Sequence, residues 1–150
     1  MKKKHVQSGF TLIELLVVIT IIGVLTSLFI SNMVGVRERA KDARTKANLD
    51  SIKTALRLYY NDYQGYPQVA DGPVEGSDFT NLTGTVVYMD EIPTFSGYGY
   101  SLPGADDENF LLQAELENEA DQEICDSWAR CNVGGTCTTG TDTTYYLCAN

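Results

Sequence analysis

Four cysteines, at positions 125, 131, 137 and 148, are the residues of this chain best suited to covalent chemistry. An even number of them in a loop-rich segment outside the cytoplasm reads as a disulfide framework. Of the pairings that four cysteines permit, Cys125 with Cys148 and Cys131 with Cys137 is expected, a nested arrangement that brings the chain end back against its own body. Zinc is the rival reading, but the gaps of six, six and eleven residues contain no Cys-x-x-Cys knuckle. A catalytic thiol lacks a base, because the only histidine, His5, stands near the N-terminus. Oxygen ligands for calcium are available in Asp106, Asp107 and Glu108, or in Glu119, Asp121, Glu123 and Asp126. Neither group has the Asp-x-Asp-x-Asp-Gly spacing of a calcium loop, so a solvated acidic surface is the plainer reading and no metal site is assigned. Asn81-Leu82-Thr83 has the form of a glycosylation sequon and is read as loop. No nucleophile motif and no phosphate-binding glycine loop occurs, so the chain is not expected to be an enzyme or to need a cofactor.

The remaining chemical singularity is Glu14, the only ionisable side chain between Phe10 and Val36. A helix of about 20 apolar residues can span the hydrocarbon core of a bilayer, and residues 10 to 36 are long enough for that. A carboxylate inside such a span is costly and marks a functional position by default. The plainer alternative places Glu14 at headgroup depth with no partner. Ahead of the run stands a short leader with Lys2, Lys3 and Lys4, and lysines there keep the leader on the cytoplasmic side. Everything after the run is then exported. An ordinary secretory signal is cut after a shorter apolar region. Here the plausible boundary lies before it, at Gly9-Phe10, where a residue without a side chain lets a peptidase approach the backbone.

The stretch Gly9-Phe10-Thr11-Leu12-Ile13-Glu14-Leu15-Leu16-Val17-Val18-Ile19-Thr20-Ile21-Ile22-Gly23-Val24-Leu25 resembles the amino terminus of type IV pilins and type II secretion pseudopilins. The resemblance implies cleavage by a membrane prepilin peptidase between Gly9 and Phe10, N-methylation of Phe10, and an assembly role for Glu14. The new ammonium of Phe10 could then approach Glu14 of a neighbouring subunit. Where many pilins carry proline, this chain has Ser31. The Tyr66-Pro67 pair resembles the ending of the stem helix in the same family, and Ile92-Pro93 with Tyr98 and Tyr100 resembles its strand region loosely. The family also often carries calcium near its C-terminus.

The elements that must position these residues follow from pattern and charge. Removing residues 1–9 leaves eight basic against 20 acidic residues, a formal charge of −12. Seven of the basic residues lie between Arg37 and Arg57; beyond them only Arg130 faces 16 acids, all but Glu14, Glu38, Asp42 and Asp50. A basic stem thus carries an acidic head, and phosphate neutralisation on nucleic acid is not expected. Val36, Ala40, Ala43 and Ala47 recur at helical spacing, and Leu49, Ile52, Leu56, Tyr59 and Tyr63 continue on a shifted face. One helix from about residue 10 to residue 60 is predicted, ended by a left-handed Gly65 and by Pro67. A separate amphipathic helix after a break at Gly35 is the alternative.

Residues 68–84 read as a connecting loop. Strands are predicted at Val86–Met89, Gly97–Leu102, Asn109–Leu116 and, as an edge, Tyr145–Cys148. Three or four of them should form one antiparallel sheet against the second helix face. The expected class is α+β: a long N-terminal helix, half transmembrane and half amphipathic, packed on a small antiparallel sheet with a disulfide-stapled C-terminal region. The organisation is a cleaved leader at 1–9, a transmembrane or filament-core helix at 10–36, its amphipathic continuation at 37–60, and a globular head at 61–150. The function implied is a structural subunit that self-associates into a helical filament, a pilus or a pseudopilus. Its partners would be other minor pilins or pseudopilins, the prepilin peptidase, an inner-membrane assembly platform and the membrane itself. It would start in the cytoplasmic membrane as a single-pass protein and end in a periplasmic or extracellular filament. The competing class is a membrane-anchored monomeric binding module, for which Glu14 would be superfluous.

Overall fold

The computed structural model describes residues 10–30, 33–104 and 107–149. It divides into two compact units, Met1–Arg37 and Glu38–Asn150. The first contains α1 (Leu12–Ile30), where a dense run of Leu, Ile and Val has neither proline nor charge after its first turn. Thr20, Thr26 and Ser27 turn their hydroxyls back onto the carbonyls of Val17, Ile22 and Val24 at 2.7–2.8 Å, so the polar atoms inside the apolar run are satisfied locally. The helix α2 (Met33–Tyr63) begins in the first unit and forms the backbone of the second. Ser31 and Asn32, where the single predicted helix would have to continue, lie outside the described residues.

In the second unit the shifted face of α2 is the core. Leu49, Ile52, Ala55, Leu56 and Tyr59 are buried in one cluster with Phe79, Ile92, Phe110, Leu112, Ala114, Leu116, Ile124, Tyr145 and Leu147. Tyr63, expected on that face, is half exposed and stacks on Tyr59 at 4.6 Å. Ala40, Ala43 and Ala47 are exposed. The helix ends one residue earlier in geometry than the sequence suggests: Gln64, at φ 57°, takes the left-handed position and donates its N–H to Tyr60 at 2.7 Å. Gly65 instead lies against the Asp107 carboxylate, which a Cβ at that position would push aside.

The predicted single sheet is two sheets. β1 (Phe79–Thr80) and β2 (Val87–Met89) form a short antiparallel ribbon inside and just after the segment read as loop. β3 (Gly99–Ser101), β4 (Leu111–Glu115) and β5 (Thr144–Cys148) form a three-stranded antiparallel sheet with β4 in the middle. The ribbon separates because the Asn81 side chain holds its turn. Its Oδ1 accepts the amides of Thr85 and Val86 at 2.8 and 3.1 Å, while Phe79 and Tyr88 pack on Tyr59. Period-2 alternation works in the larger sheet, where buried Leu112 and Ala114 lie opposite buried Leu147 and Tyr145.

A third helix, α3 (Gln122–Arg130), was not read from the sequence. Asp121 caps it by accepting the N–H of Glu123 at 3.0 Å. It covers the outer edge of β5: the Ser127 hydroxyl accepts the N–H of Tyr146 at 2.9 Å, and Trp128 Nε1 donates to the Thr144 carbonyl at 2.7 Å. An edge strand left bare would be a template for unwanted pairing.

That helix also overturns the expected cysteine pairing. The bonds are Cys125–Cys137 and Cys131–Cys148, interlocked rather than nested. Cys125 sits inside α3 and Cys131 caps its C-terminus, roughly 9 Å apart along the axis at 1.5 Å per residue. The C-terminal end of β5 meets the C-terminal end of α3, so Cys148 reaches Cys131. The 132–143 loop returns toward the other end, where Gly140 donates to the Glu119 carbonyl at 2.8 Å, and delivers Cys137 to Cys125.

Candidate functional site

The side chains of α1 from Leu12 to Ser27 are exposed all round, with Leu12 at 81% and Val24 at 64%. A helix that is apolar on every side requires an apolar environment, either membrane or other protein. Among the described residues, no helix is long and apolar enough to cross a membrane. At 1.5 Å per residue the 19 residues of α1 extend about 28 Å, and the side chains of residues 28–34 lie outside the description.

At its first turn, Thr11 and Glu14 form a capping box. Glu14 Oε2 accepts the N–H of Thr11 at 2.8 Å and its hydroxyl at 2.6 Å, and Thr11 Oγ1 accepts the N–H of Glu14 at 3.3 Å. Glu14 therefore has a partner that its setting in the sequence did not reveal, although Thr-x-x-Glu before an apolar run is the signature of such a box. Among the described residues, both bonds to the carboxylate fall on Oε2 and none on Oε1. Phe10 precedes the box and is 80% exposed. Gly9 and the rest of the leader lie outside the described residues.

In the second unit the polar residues bind the fold to itself. The Asp42 carboxylate is buried on α2 and accepts the main-chain amides of Glu117 and Asn118 at 2.7 and 3.0 Å. One turn on, Lys46 donates to Asp121 at 2.7 Å and Glu123 at 2.6 Å, and its ammonium lies 5.3 Å from the centre of the Tyr145 ring. Burial pushes the Lys46 ammonium down, but the two carboxylates outweigh it and leave it above its ordinary value. Asp121 is held below its own: burial opposes this, and the Lys46 and Glu123 N–H bonds prevail. Sequence reading missed both positions. The signal was present, since Asp42, Lys46, Leu49, Ile52 and Leu56 recur every three or four residues in one stripe.

Of the calcium candidates, Asp121 and Glu123 share a partner, Lys46. Asp106 is outside the described residues; Asp107 lends its carbonyl to the N–H of Tyr66 at 2.7 Å. Asp121 and Glu123 hold Lys46, and no three metal-ligating side chains come together among the described residues. Asn81 is 8% exposed and its amide group is engaged at both ends, so the sequon is not open to modification in the folded protein. A groove of about 590 Å³ runs between α2 and the 91–96 segment. Lys41 on its wall pairs with Glu117 at 2.7 Å and Glu115 with the Ser96 hydroxyl at 2.7 Å, Arg44 and Glu91 line it as well, and its lining contains no histidine or cysteine.

Residues 4–30 match the prokaryotic N-terminal methylation motif. Type II secretion system core protein G of Aeromonas hydrophila is 39% identical over 70 residues, 47% of this chain and 49% of that protein. The protein of the same description from Escherichia coli strain K12 is 39% identical over 72 residues, 48% of this chain and 50% of its own. Type IV major pilin protein PilA of Myxococcus xanthus strain DK1622 is 31% identical over 116 residues, 77% of this chain and 44% of that protein. The chain thus spans about half the length of the relatives it matches. No solved structure matches it. The likeness to pilins and pseudopilins read from Gly9–Leu25 is thereby shown.

Proposed function

We propose that this chain is a structural subunit of a pilus or pseudopilus filament, made as a precursor, cut between Gly9 and Phe10, and N-methylated on Phe10. The observation that carries the reading is α1, a helix apolar on all sides whose one carboxylate lies at its N-terminal turn. Before assembly the sequence from residue 10 to residue 36 holds the subunit in the cytoplasmic membrane, with the second unit outside the cytoplasm. After assembly, α1 helices of neighbouring copies cover one another, and the acidic second unit faces solvent. The partners are other copies, minor pilins or pseudopilins, the prepilin peptidase and an inner-membrane assembly platform. In this reading the Phe10 ammonium created by cleavage engages Glu14 of a neighbour, through the carboxylate oxygen that the bonds to Thr11 do not use.

No reacting group is needed for this role. The methylation motif supports processing, the likeness to proteins named as a pilin and as secretion-system core proteins supports a filament role, and the disulfides support an oxidising compartment. The test is mass spectrometry of the protein from its native host, together with electron microscopy of cells with and without the gene. An N-terminus at methylated Phe10 is expected. A chain beginning at Met1, or one cut beyond residue 30, removes the proposal. Long surface fibres that vanish with the gene mark a pilus; processing without fibres marks a short pseudopilus.

A further inference from the structure

Resemblance to pseudopilins carries an expectation of calcium near the C-terminus, and the residues present do not fit it. The best candidates, Asp121 and Glu123, flank the start of α3 and turn their carboxylates toward one point. That point is taken. The Lys46 ammonium reaches it from α2, 2.7 Å from Asp121 and 2.6 Å from Glu123, with 19% of the lysine side chain exposed. Tyr145 closes a further side with its ring.

We infer that Lys46 is the resident cation of this region: its ammonium fills the place between Asp121 and Glu123 that a divalent ion would need. The consequence is a C-terminal region that keeps its shape without metal. An ammonium carries one charge and three donors, which matches two carboxylates with a donor to spare. A calcium ion needs six or more oxygens, and here it would also have to displace a fixed cation.

The position explains why a charge is useful there. Asp121 already caps α3 through the N–H of Glu123, and α3 carries Cys125, which holds the 132–143 loop through Cys137. Lys46 therefore ties α2 to the start of the disulfide-bonded region. A lysine on α2 delivers this charge with the fold itself, at any external ion concentration. The inference holds whether or not the chain assembles into filaments, and the paired pKa directions of Lys46 and Asp121 agree with it.

The experiment uses the full chain in detergent micelles. Thermal unfolding is followed in excess EDTA and in millimolar calcium, with isothermal titration of calcium alongside. The wild-type melting temperature should be the same in both media, and titration should detect no binding. Lys46→Met should melt lower in EDTA, by on the order of 5 °C, and calcium should recover part of the loss, because the freed carboxylates now face an open place. Lys46→Arg should remain insensitive to calcium. Adding Asp121→Asn and Glu123→Gln to Lys46→Met should abolish the calcium response. Should Lys46→Met fail to fold, the wild-type and Lys46→Arg measurements still decide the claim. Calcium binding by the wild type that raises its melting temperature would overturn it. So would a Lys46→Met protein destabilised equally in EDTA and calcium, since the place would then not be a cation site.

Discussion

The buried carboxylate of Asp42 accepts the main-chain N–H of Glu117 at 2.7 Å, across 75 residues of sequence. Its other oxygen takes the N–H of Asn118 at 3.0 Å. These amides lie just past the end of β4, where the strand ladder no longer supplies acceptors. An acid in the basic stretch of α2 thus completes the hydrogen bonding of the central strand's exit.

Asp42→Ala should therefore destabilise the second unit by about 1–3 kcal/mol, the usual cost of leaving buried donors without partners. Asp42→Asn should recover only part, because its amide presents a donor to one of the two N–H groups. Urea unfolding of the two variants checks this; wild-type stability in Asp42→Ala would mean that water replaces the carboxylate.

Non-reducing peptide mapping should yield Cys125 joined to Cys137 and Cys131 joined to Cys148. Losing either bond, which close separations of 12 and 17 residues, should cost about 2–4 kcal/mol. Cys131→Ser with Cys148→Ser should have the larger local effect on amide exchange in β5, since that bond holds the strand's end. Recovery of a Cys125–Cys148 peptide would contradict the fold described for α3.

Glu14→Ala and Thr11→Ala break the same capping box, and comparing them separates two roles of the carboxylate. If Glu14 also receives the Phe10 ammonium of a neighbour, Glu14→Ala should lower filament incorporation several-fold more than Thr11→Ala. Immunoblotting of sheared filaments against membrane fractions reads this out. Equal losses would reduce Glu14 to a helix cap.

Alkali and acid should each destabilise the second unit, at opposite ends of the pH range. Burial raises Tyr98 and Tyr100 well above the ordinary 10.0, and burial with the Asp62 hydrogen bond pushes Tyr88 up to about 12. A raised folded value gives stability that is present below pH 10.0 and lost as pH climbs through the folded value. Lys46, raised above 10.5, adds loss in the same direction. Asp121, lowered from 3.8, gives stability present above that pH and lost as pH falls through its lower folded value. The melting temperature should be level between these limits and fall on either side. The tyrosinate absorbance that belongs to Tyr88, Tyr98 and Tyr100 should rise late and together with unfolding; early, non-cooperative ionisation of these three, read from their Phe variants, would count against it.

The sequence by itself determined the apolar helix, the family likeness, the buried stripe of α2 and the four strand segments Val86–Met89, Gly97–Leu102, Asn109–Leu116 and Tyr145–Cys148 to within a few residues. Each is a local matter: period, turn residues and a motif with fixed spacing are complete within a short window, so Leu49, Ile52 and Leu56 could be placed without knowing what they meet. Even the Thr11–Glu14 box and the Asp42–Lys46 extension of the stripe were written there, as a Thr-x-x-Glu spacing and as a recurrence every three or four residues. Only the tertiary structure decided which strands share a sheet, which cysteines bond and where Lys46 points. Those outcomes depend on chain ends brought together over tens of residues: α3 lies along the edge of β5, aligns Cys131 with Cys148, and sends the loop back to Cys125. No spacing among the cysteines encodes that, because the distance between two residues is set by the elements between them, and α3, which carries Cys125 and is capped by Cys131, went unread.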